Sequence, residues 1–184
     1  MIQAAVDALR RPGGVVCYPT ETVYGLGGRA CDPDAAYRIA AIKKREPQPL
    51  IVLVDGLEWL SGAARVLGEQ LWPGPVTLIV PAWEGLAENV LAPDGTVAVR
   101  WSGHEICAEL VQAVGPITST SANLHGEPPP RSMPSLDVDA VIDHGALAFA
   151  EPSTLVHVGE RRVLRRGALA HRVERLLADL DAAS

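Results

Sequence analysis

The amino-acid sequence predicts one α/β domain built around a mixed sheet. Short apolar runs of strand length alternate with stretches in which apolar residues have helical spacing, as in α/β folds. The dipeptide Gly159-Glu160 separates two strand-like runs and predicts a hairpin, so the sheet is expected to be mixed rather than purely parallel. No internal repeat and no break in composition marks a linker, and residues 1–184 are therefore predicted to form a single domain.

Local patterns predict the first elements. Apolar residues at helical spacing in 2–9, followed by two arginines and a proline, predict an amphipathic helix. Residues 15–18 are apolar and stop at Pro19, as a buried strand would. Asp32-Pro33-Asp34 opens a helix that runs to Ile42, because aspartate is a favoured capping residue and proline fits the first turn.

The rest of the chain continues the alternation. Trp72-Pro73-Gly74-Pro75 predicts a turn, and 127–132 predicts a proline-rich loop. The other predicted strands are 50–54, 76–80, 96–101, 117–120, 140–142, 154–158 and 162–165. The other predicted helices are 57–67, 105–114 and 168–180.

Composition argues against several classes of protein. The formal net charge of −6 argues against a generally basic nucleic-acid-binding surface. The three cysteines, Cys17, Cys31 and Cys107, lack CxxC spacing, which argues against a zinc ribbon or a disulfide framework and favours a reducing cytoplasm. No apolar stretch has the length of a membrane span, so no membrane partner is expected. The sequence also contains no HExxH, Walker or GxSxG motif, so it predicts neither a set of metal ligands nor a serine nucleophile.

The first of four polar clusters is the segment 19–28, in which a buried strand leads into a glycine-rich loop with two threonines, a glutamate and a tyrosine. Glycines permit close approach of the backbone to a ligand. The segment matches neither the dinucleotide-binding fingerprint nor a P-loop. On the glycines alone, an ordinary turn in which Thr20 and Thr22 cap backbone groups is the better interpretation.

The second cluster contains the only two lysines of the chain, Lys43 and Lys44, followed by Arg45. Cations at the end of a helix complement its dipole, which is a sufficient structural reason for them. The alternative is an anion site, in which a lysine and an arginine bind phosphate or carboxylate oxygens. Lys43 and Arg45 can point together only if the helix ends here, and Pro47 and Pro49 favour that ending.

The third and fourth clusters are also polar groups at the ends of elements. Ser119-Thr120-Ser121-Ala122-Asn123 follows a short strand, the place where ligands bind in open α/β sheets, although a polar turn is the alternative. The fourth group is the scattered set Arg100, Arg131 and Arg165-Arg166. Each of these arginines alone is typical of a protein surface, but together they supply positive charge that can converge.

Taken in order, these clusters resemble the YrdC-like domain family, specifically its L-threonylcarbamoyladenylate synthases, known in bacteria as TsaC or YrdC. The matching segments are 13–27, Lys43-x-Arg45 with 49–52, 72–77, 97–100, 119–123 and Leu164-Arg165, and they cover nearly the whole chain. The resemblance implies a twisted, mostly mixed or antiparallel sheet with flanking helices and a concave ligand groove. The loop 46–49 departs from the family pattern, where members usually have Arg-Pro and a slightly longer spacer.

The resemblance also implies an ATP-dependent nucleotidyltransferase. L-threonine and bicarbonate form N-carboxythreonine, whose carboxylate attacks the α-phosphate of ATP, so that pyrophosphate leaves and L-threonylcarbamoyladenylate forms. Mg²⁺ is carried in by ATP and needs no protein ligand. The product enters tRNA threonylcarbamoyladenosine modification through partner proteins of the threonylcarbamoyl transferase complex, and contact with tRNA or double-stranded RNA is a further expectation.

The same resemblance implies roles for individual residues. Lys43 and Arg45 are the implied catalytic pair, which would hold the phosphates and the carbamate. The residues implied to contact threonine are Thr22, Arg100, Ser121 and Ser153. The residues implied to contact ATP are Lys43, Arg45, Thr96, Asn123, Ser132 and Arg165.

Two other functions stay open at this point. The first is an RNA-binding or ribosome-maturation factor that uses the same basic concave surface. The excess of acidic over basic residues disfavours tight binding of RNA, because such binding depends on many contacts to phosphates. The second is a carbamoyl-adenylate activity like that of the YrdC-like domain in hydrogenase maturation proteins. The lack of accompanying acylphosphatase and zinc-finger segments disfavours it.

Overall fold

Helices and strands alternate along the chain, of which this computed structural model describes residues 1–124, 126, 128–132 and 134–182. The helices are α1 (Ile2–Leu9), α2 (Pro33–Ile42), α3 (Gly62–Leu71), α4 (Glu105–Val114) and α5 (Ala170–Ala182). The strands are β1 (Val16–Pro19), β2 (Tyr24–Gly27), β3 (Ile51–Leu53), β4 (Val76–Pro81), β5 (Thr96–Arg100), β6 (Ile117–Ser121), β7 (Ala140–Val141), β8 (Thr154–His157) and β9 (Arg162–Arg165). A 3₁₀ helix spans Glu88–Val90.

The strands of the described residues form one mixed sheet with the order β7-β1-β2-β6-β3-β5-β4-β8-β9. The pairs β1–β7, β3–β5 and β4–β8 are parallel. The pairs β1–β2, β2–β6, β3–β6, β4–β5 and β8–β9 are antiparallel. The predicted α/β class, the mixed sheet and the hairpin at Gly159-Glu160 are therefore confirmed.

Helices pack on both faces of the sheet. One apolar cluster joins α2, α3 and α5 to residues of most strands. A second cluster, on the other face, joins α1 and α4 to the sheet. In β1, Cys17 belongs to the first cluster, whereas Val16 and Tyr18 belong to the second, which explains the continuous apolar run of this strand. The second cluster includes residues of β1, β3 and β6 but, among the described residues, none of β4, β5 or β8. Part of that face is thus left for a site.

Strand β2 was missed by the sequence analysis, which placed Tyr24–Gly27 in a loop. Glycine is disfavoured in strands, so its two glycines hid the element. Gly27 is required by space, because a Cβ atom there would lie 1.9 Å from the carbonyl oxygen of Thr118 and 2.9 Å from the Tyr18 hydroxyl. That hydroxyl donates to the same Thr118 carbonyl at 2.8 Å. The close approach of β1, β2 and β6 therefore explains why position 27 is a glycine.

The bounds of some elements also differ from the predictions. Helix α3 begins at Gly62 rather than at residue 57, because Leu57 and Leu60 are joined by a turn in which the Leu60 amide donates to the Leu57 carbonyl at 3.0 Å. Residues 128–132 have no regular structure, as predicted for the proline-rich loop, and Glu127 at the start of that prediction lies outside the described residues. In the described part of the chain, no helix combines the length and the apolar character that crossing a membrane requires.

Asp32 determines where α2 begins. Its Oδ1 accepts from the amides of Asp34 at 3.0 Å and Ala35 at 3.3 Å, and its Oδ2 accepts from the Gly13 amide at 2.7 Å. Asp32→Ala is expected to lower the free energy of unfolding by about 1–2 kcal/mol, since one cap accepts all three bonds. Urea unfolding measures this loss. Asp32→Asn keeps an acceptor oxygen for the amides of Asp34 and Ala35 but cannot also accept from the Gly13 amide, so it should lose less than Asp32→Ala. Equal losses would show that the bonds to Asp34 and Ala35 do not stabilise the start of α2.

Candidate functional site

A cavity of about 750 Å³ opens on the same face of the sheet as the second apolar cluster and borders it at Ile51. Its floor includes Ile51 of β3, Ala98 of β5, Ile79 of β4 and Leu155 of β8. Ile51 and Ile79 are both register partners of Ala98, so the three side chains lie side by side on one face. The floor is therefore apolar and is formed by neighbouring strands of the sheet.

Positive charge dominates the walls of this cavity. Four arginines line it, namely Arg45, Arg100, Arg131 and Arg165. Within the described ranges, the lining includes a single carboxylate, that of Glu151. A chain with a net charge of −6 thus concentrates positive charge at one place, and this place fits a ligand with several negative charges.

Hydroxyl groups at strand ends complete the lining. They belong to Thr20, Thr22, Thr96, Ser119, Thr120, Ser121 and Ser153. Thr20 is engaged locally, because its Oγ1 donates to the Val23 carbonyl at 2.7 Å and lies 3.0 Å from Thr22 Oγ1. The predicted capping turn is thus present at Thr20, and the same turn brings Thr22 to the cavity.

The end of α2 brings Lys43 and Arg45 to the same side. The amide of Lys44 donates to the Ala41 carbonyl at 3.0 Å, and the amide of Arg45 donates to the Ala40 carbonyl at 3.1 Å. This is the Schellman pattern, in which the residue after the cap is left-handed, and Lys44 has a φ of 51°. The helix ends at Ile42, as the prolines predicted, and the left-handed residue reverses the chain between the two cations.

Lys43 is buried, with 2% exposure, directly behind the cavity wall. Its ammonium donates to the carbonyl of Ser121, which lines the cavity, and to the carbonyl of Asn123 at 2.7 Å. Burial, together with the nearby guanidinium of Arg45, lowers the pKa of Lys43 to about 8. Burial also lowers the pKa of Arg45, whose Nε is buried without a hydrogen-bond partner in the described part of the chain.

Arg165 is oriented by the neighbouring strand. Its Nε donates to the Ser153 carbonyl at 3.0 Å and its Nη2 donates to Ser153 Oγ at 2.9 Å. Ser153 Oγ lies 2.9 Å from Thr77 Oγ1, and both of these residues are buried. Arg165 and Ser153 thus form one unit, with the arginine at the cavity wall.

Seven of the ten site residues predicted from the sequence line this cavity: Thr22, Arg45, Thr96, Arg100, Ser121, Ser153 and Arg165. Lys43 lies behind Ser121, as described above. Asn123 lines a second cavity, of about 670 Å³, together with Arg38 and Lys44. Ser132 is exposed and lines neither cavity. Their roles as ligand contacts stay predictions.

One feature of the cavity mouth was missed by the sequence analysis. Phe149, the only phenylalanine of the chain, is 76% exposed, and the Arg131 guanidinium carbon lies 5.3 Å from the centre of its ring. The Leu147 amide donates to the Arg131 carbonyl at 2.6 Å, and the Tyr24 amide donates to the Pro130 carbonyl at 3.0 Å. No motif signals this pair, because its members come from separate segments.

Known proteins share this sequence pattern over most of its length. A family model named Sua5_yciO_yrdC, described as "Telomere recombination", matches residues 8–167. A protein of Xanthomonas campestris pv. campestris named threonylcarbamoyl-AMP synthase is 41% identical over 186 residues, which cover 89% of this chain and 96% of that protein.

Solved structures show the same similarity. Pyrococcus abyssi Sua5, solved in complex with L-threonine, superimposes with a TM-score of 0.84 at 34% identity, covering 95% of this chain and 56% of that one. Escherichia coli YciO superimposes with a TM-score of 0.79 at 27% identity, covering 91% of this chain and 89% of that one. The chain thus spans little more than half of the Pyrococcus protein.

Proposed function

The chain belongs to the Sua5/YciO/YrdC family, and we propose that it is an ATP-dependent synthase of L-threonylcarbamoyladenylate. The amino nitrogen of L-threonine forms a bond to the carbon of bicarbonate and water leaves, which gives N-carboxythreonine. An oxygen of its carbamate group then forms a bond to the α-phosphorus of ATP, the bond from that phosphorus to the β-phosphate oxygen breaks, and pyrophosphate leaves. The product is a mixed anhydride of the carbamate and AMP, the first intermediate of tRNA threonylcarbamoyladenosine modification.

The main observation that supports this proposal is that four arginines line one cavity. Each substrate carries at least one anionic group: ATP has a triphosphate, threonine a carboxylate and bicarbonate its own charge. Guanidinium groups held in a sheltered cavity bind such groups by charge-assisted hydrogen bonds. The reaction needs positioning and stabilisation of negative charge more than it needs a protein nucleophile. The described residues supply these two requirements.

We assign each substrate a set of contact residues. Arg45, with its unpartnered Nε among the described residues, and Lys43 behind it bind the phosphates and the carbamate. Thr96, Asn123, Ser132 and Arg165 are the further proposed ATP contacts. Threonine is proposed to contact Thr22, Arg100, Ser121 and Ser153, and the complex of the similar Pyrococcus protein with L-threonine supports a threonine site in this fold.

Mg²⁺ is proposed to enter bound to the phosphates of ATP. The lining of the cavity fits this arrangement, because its four arginines suit the phosphate oxygens of a nucleotide that brings its own metal ion. When bound to the triphosphate, the ion reduces its charge and makes pyrophosphate a better leaving group. The protein's own cations then hold the remaining phosphate oxygens.

The proposal is tested by pyrophosphate release from ATP with the purified protein. Release should require both L-threonine and bicarbonate, and the adenylate product should appear in equal amount. Release without threonine would contradict the proposed reaction. No release, combined with tight binding of duplex RNA, would favour the RNA-binding alternative. Transfer of the product to tRNA by partner proteins in the cytoplasm is the proposed next step.

The lowered pKa of Lys43 predicts a pH dependence of nucleotide binding. Lys43 is charged below a pKa of about 8 and neutral above it, so its attraction for phosphate is lost as the pH rises through that value. The affinity for a non-hydrolysable ATP analogue, measured by calorimetry without threonine, is expected to fall several-fold between pH 7 and pH 9.5. Omitting threonine removes the titration of its amino group. Constant affinity over this range would contradict a role of Lys43 in phosphate binding.

A further inference from the structure

Arg100 differs from the other cations of the cavity in having a carboxylate partner. Its Nε lies 3.8 Å from Oε1 of Glu21, and its side chain is only 5% exposed. Among the described residues, neither Lys43 nor any other arginine of the lining forms an ion pair with an acidic residue. The charge of Arg100 is thus partly compensated, whereas the charges on the side of Arg45 are not.

The other carboxylate oxygen of Glu21, Oε2, is held by a hydrogen bond. Ser102 Oγ donates to Glu21 Oε2 and accepts from the His104 amide at 3.2 Å. His104 is the N-cap of α4, so the orientation of the Glu21 carboxylate depends on the start of that helix. Such a second layer of contacts is what keeps a charged side chain in one orientation.

The contact between Glu21 and Arg100 is an ion pair without a hydrogen bond. Glu21 Oε1 and Arg100 Nε are both buried, and neither has a hydrogen-bond partner in the described part of the chain. The carboxylate therefore offsets the buried charge of the guanidinium and draws its Nε edge away from the cavity. The donors of the other edge are left for a ligand, in an orientation that already exists before binding.

We propose that Glu21 is a positioning residue that makes Arg100 selective for the single carboxylate of threonine; this rests on the proposed function. Glu21 repels any anion that approaches Arg100, but it repels a phosphate with two or more charges more strongly than a singly charged carboxylate, which also gains a bidentate contact to Arg100. Phosphates are then favoured at Lys43, Arg45 and Arg165, none of which forms an ion pair with an acidic residue among the described residues. Glu21 thus orients the two substrates relative to each other.

The test compares L-threonine binding by wild-type protein and Glu21→Gln, measured by calorimetry. The glutamine keeps an acceptor for Ser102 but removes the charge. Threonine affinity should fall roughly tenfold, because Arg100 loses its fixed orientation and one of its charge-assisted hydrogen bonds to the threonine carboxylate is weakened, while the affinity for the ATP analogue changes less than twofold. Sulfate should also compete with threonine several-fold better in Glu21→Gln than in wild type. Glu69→Gln, which removes a carboxylate from the exposed Arg65–Glu69 pair, should change none of these values.

A double variant separates positioning from a general structural effect. If Glu21 acts through Arg100, Glu21→Gln should weaken threonine binding less than twofold further in an Arg100→Lys background. Additive losses in the double variant, or an unchanged sulfate competition, would overturn the proposal. Absence of threonine binding in the wild type would overturn it as well. Threonine binding without threonine-dependent pyrophosphate release would instead overturn the proposed reaction alone.

Discussion

Lys43→Ala is expected to slow threonine-dependent pyrophosphate release by at least about hundredfold while the domain stays folded, because it removes the cation proposed to stabilise the charge that develops on the phosphates. The ammonium lies behind the cavity wall and is oriented by the carbonyls of Ser121 and Asn123. Burial disfavours its charge and lowers its pKa, so removal of that charge offsets part of the loss of its two hydrogen bonds, and the thermal midpoint should fall by only a few degrees. Steady-state kinetics and a thermal melt measure the two effects.

The neighbouring lysine supplies a matched control. Lys44 is exposed and does not line the cavity of the four arginines. Lys44→Ala removes the same charge, keeps a Cβ atom in the left-handed position and should leave turnover within about twofold of wild type. Equal losses in both variants would show that overall charge, rather than the placement of one ammonium, controls the reaction. Normal turnover in Lys43→Ala would place the phosphate site elsewhere.

Gly27→Ala is expected to lower the free energy of unfolding by about 3 kcal/mol or to prevent folding, since the new methyl group overlaps backbone that cannot move independently. A Cβ atom at Gly27 would lie 1.9 Å from the Thr118 carbonyl oxygen, in the strand next to β2. For a chain of this size, that loss corresponds to a fall of about 6–12 °C in the thermal midpoint. Calorimetry of the purified variant measures it.

Gly103→Ala is the appropriate control for this experiment. A Cβ atom at Gly103 would have its nearest neighbour at 3.9 Å, an ordinary contact distance. This variant should melt within about 2 °C of wild type, and a large loss there would mean that glycine content itself, through the backbone, determines stability. A thermal midpoint of Gly27→Ala equal to that of wild type would contradict the prediction. It would show that β1, β2 and β6 can move apart to make room for the methyl group.

Much of the fold follows from short-range patterns. Helix α4 has the predicted bounds 105–114, and α2 begins beside its predicted cap, Asp32. Such elements are predictable because caps and apolar spacing act within a few residues. Strand β2 was not predictable, since its glycines reflect the closeness of β1 and β6 rather than any local preference.

The residues of the candidate site were likewise predictable from the sequence only in part. The position of the chain's only lysines at a helix end drew attention to Lys43 and Arg45, but their functional roles, like the family and the reaction, came from the resemblance of ordered motifs. The sequence could not show that the Lys43 ammonium bonds to a carbonyl 78 residues away, or that Glu21 pairs with Arg100. It also did not show the contact of Arg131 with Phe149 across the cavity mouth.

The sequence by itself thus determined the α/β class, most helices and strands and the identity of the charged residues. Only the tertiary structure decided which charged residues meet in one cavity, and that, among those the structure describes, Arg100 is the one paired with a carboxylate, that of Glu21. The physical reason is that caps and apolar periodicity act over one or two turns of chain, whereas charge and hydrogen-bond partners act through space. A net charge of −6 is a property of the whole composition, while a cavity with four arginines exists only after β3, β5, β6 and β9 are brought together.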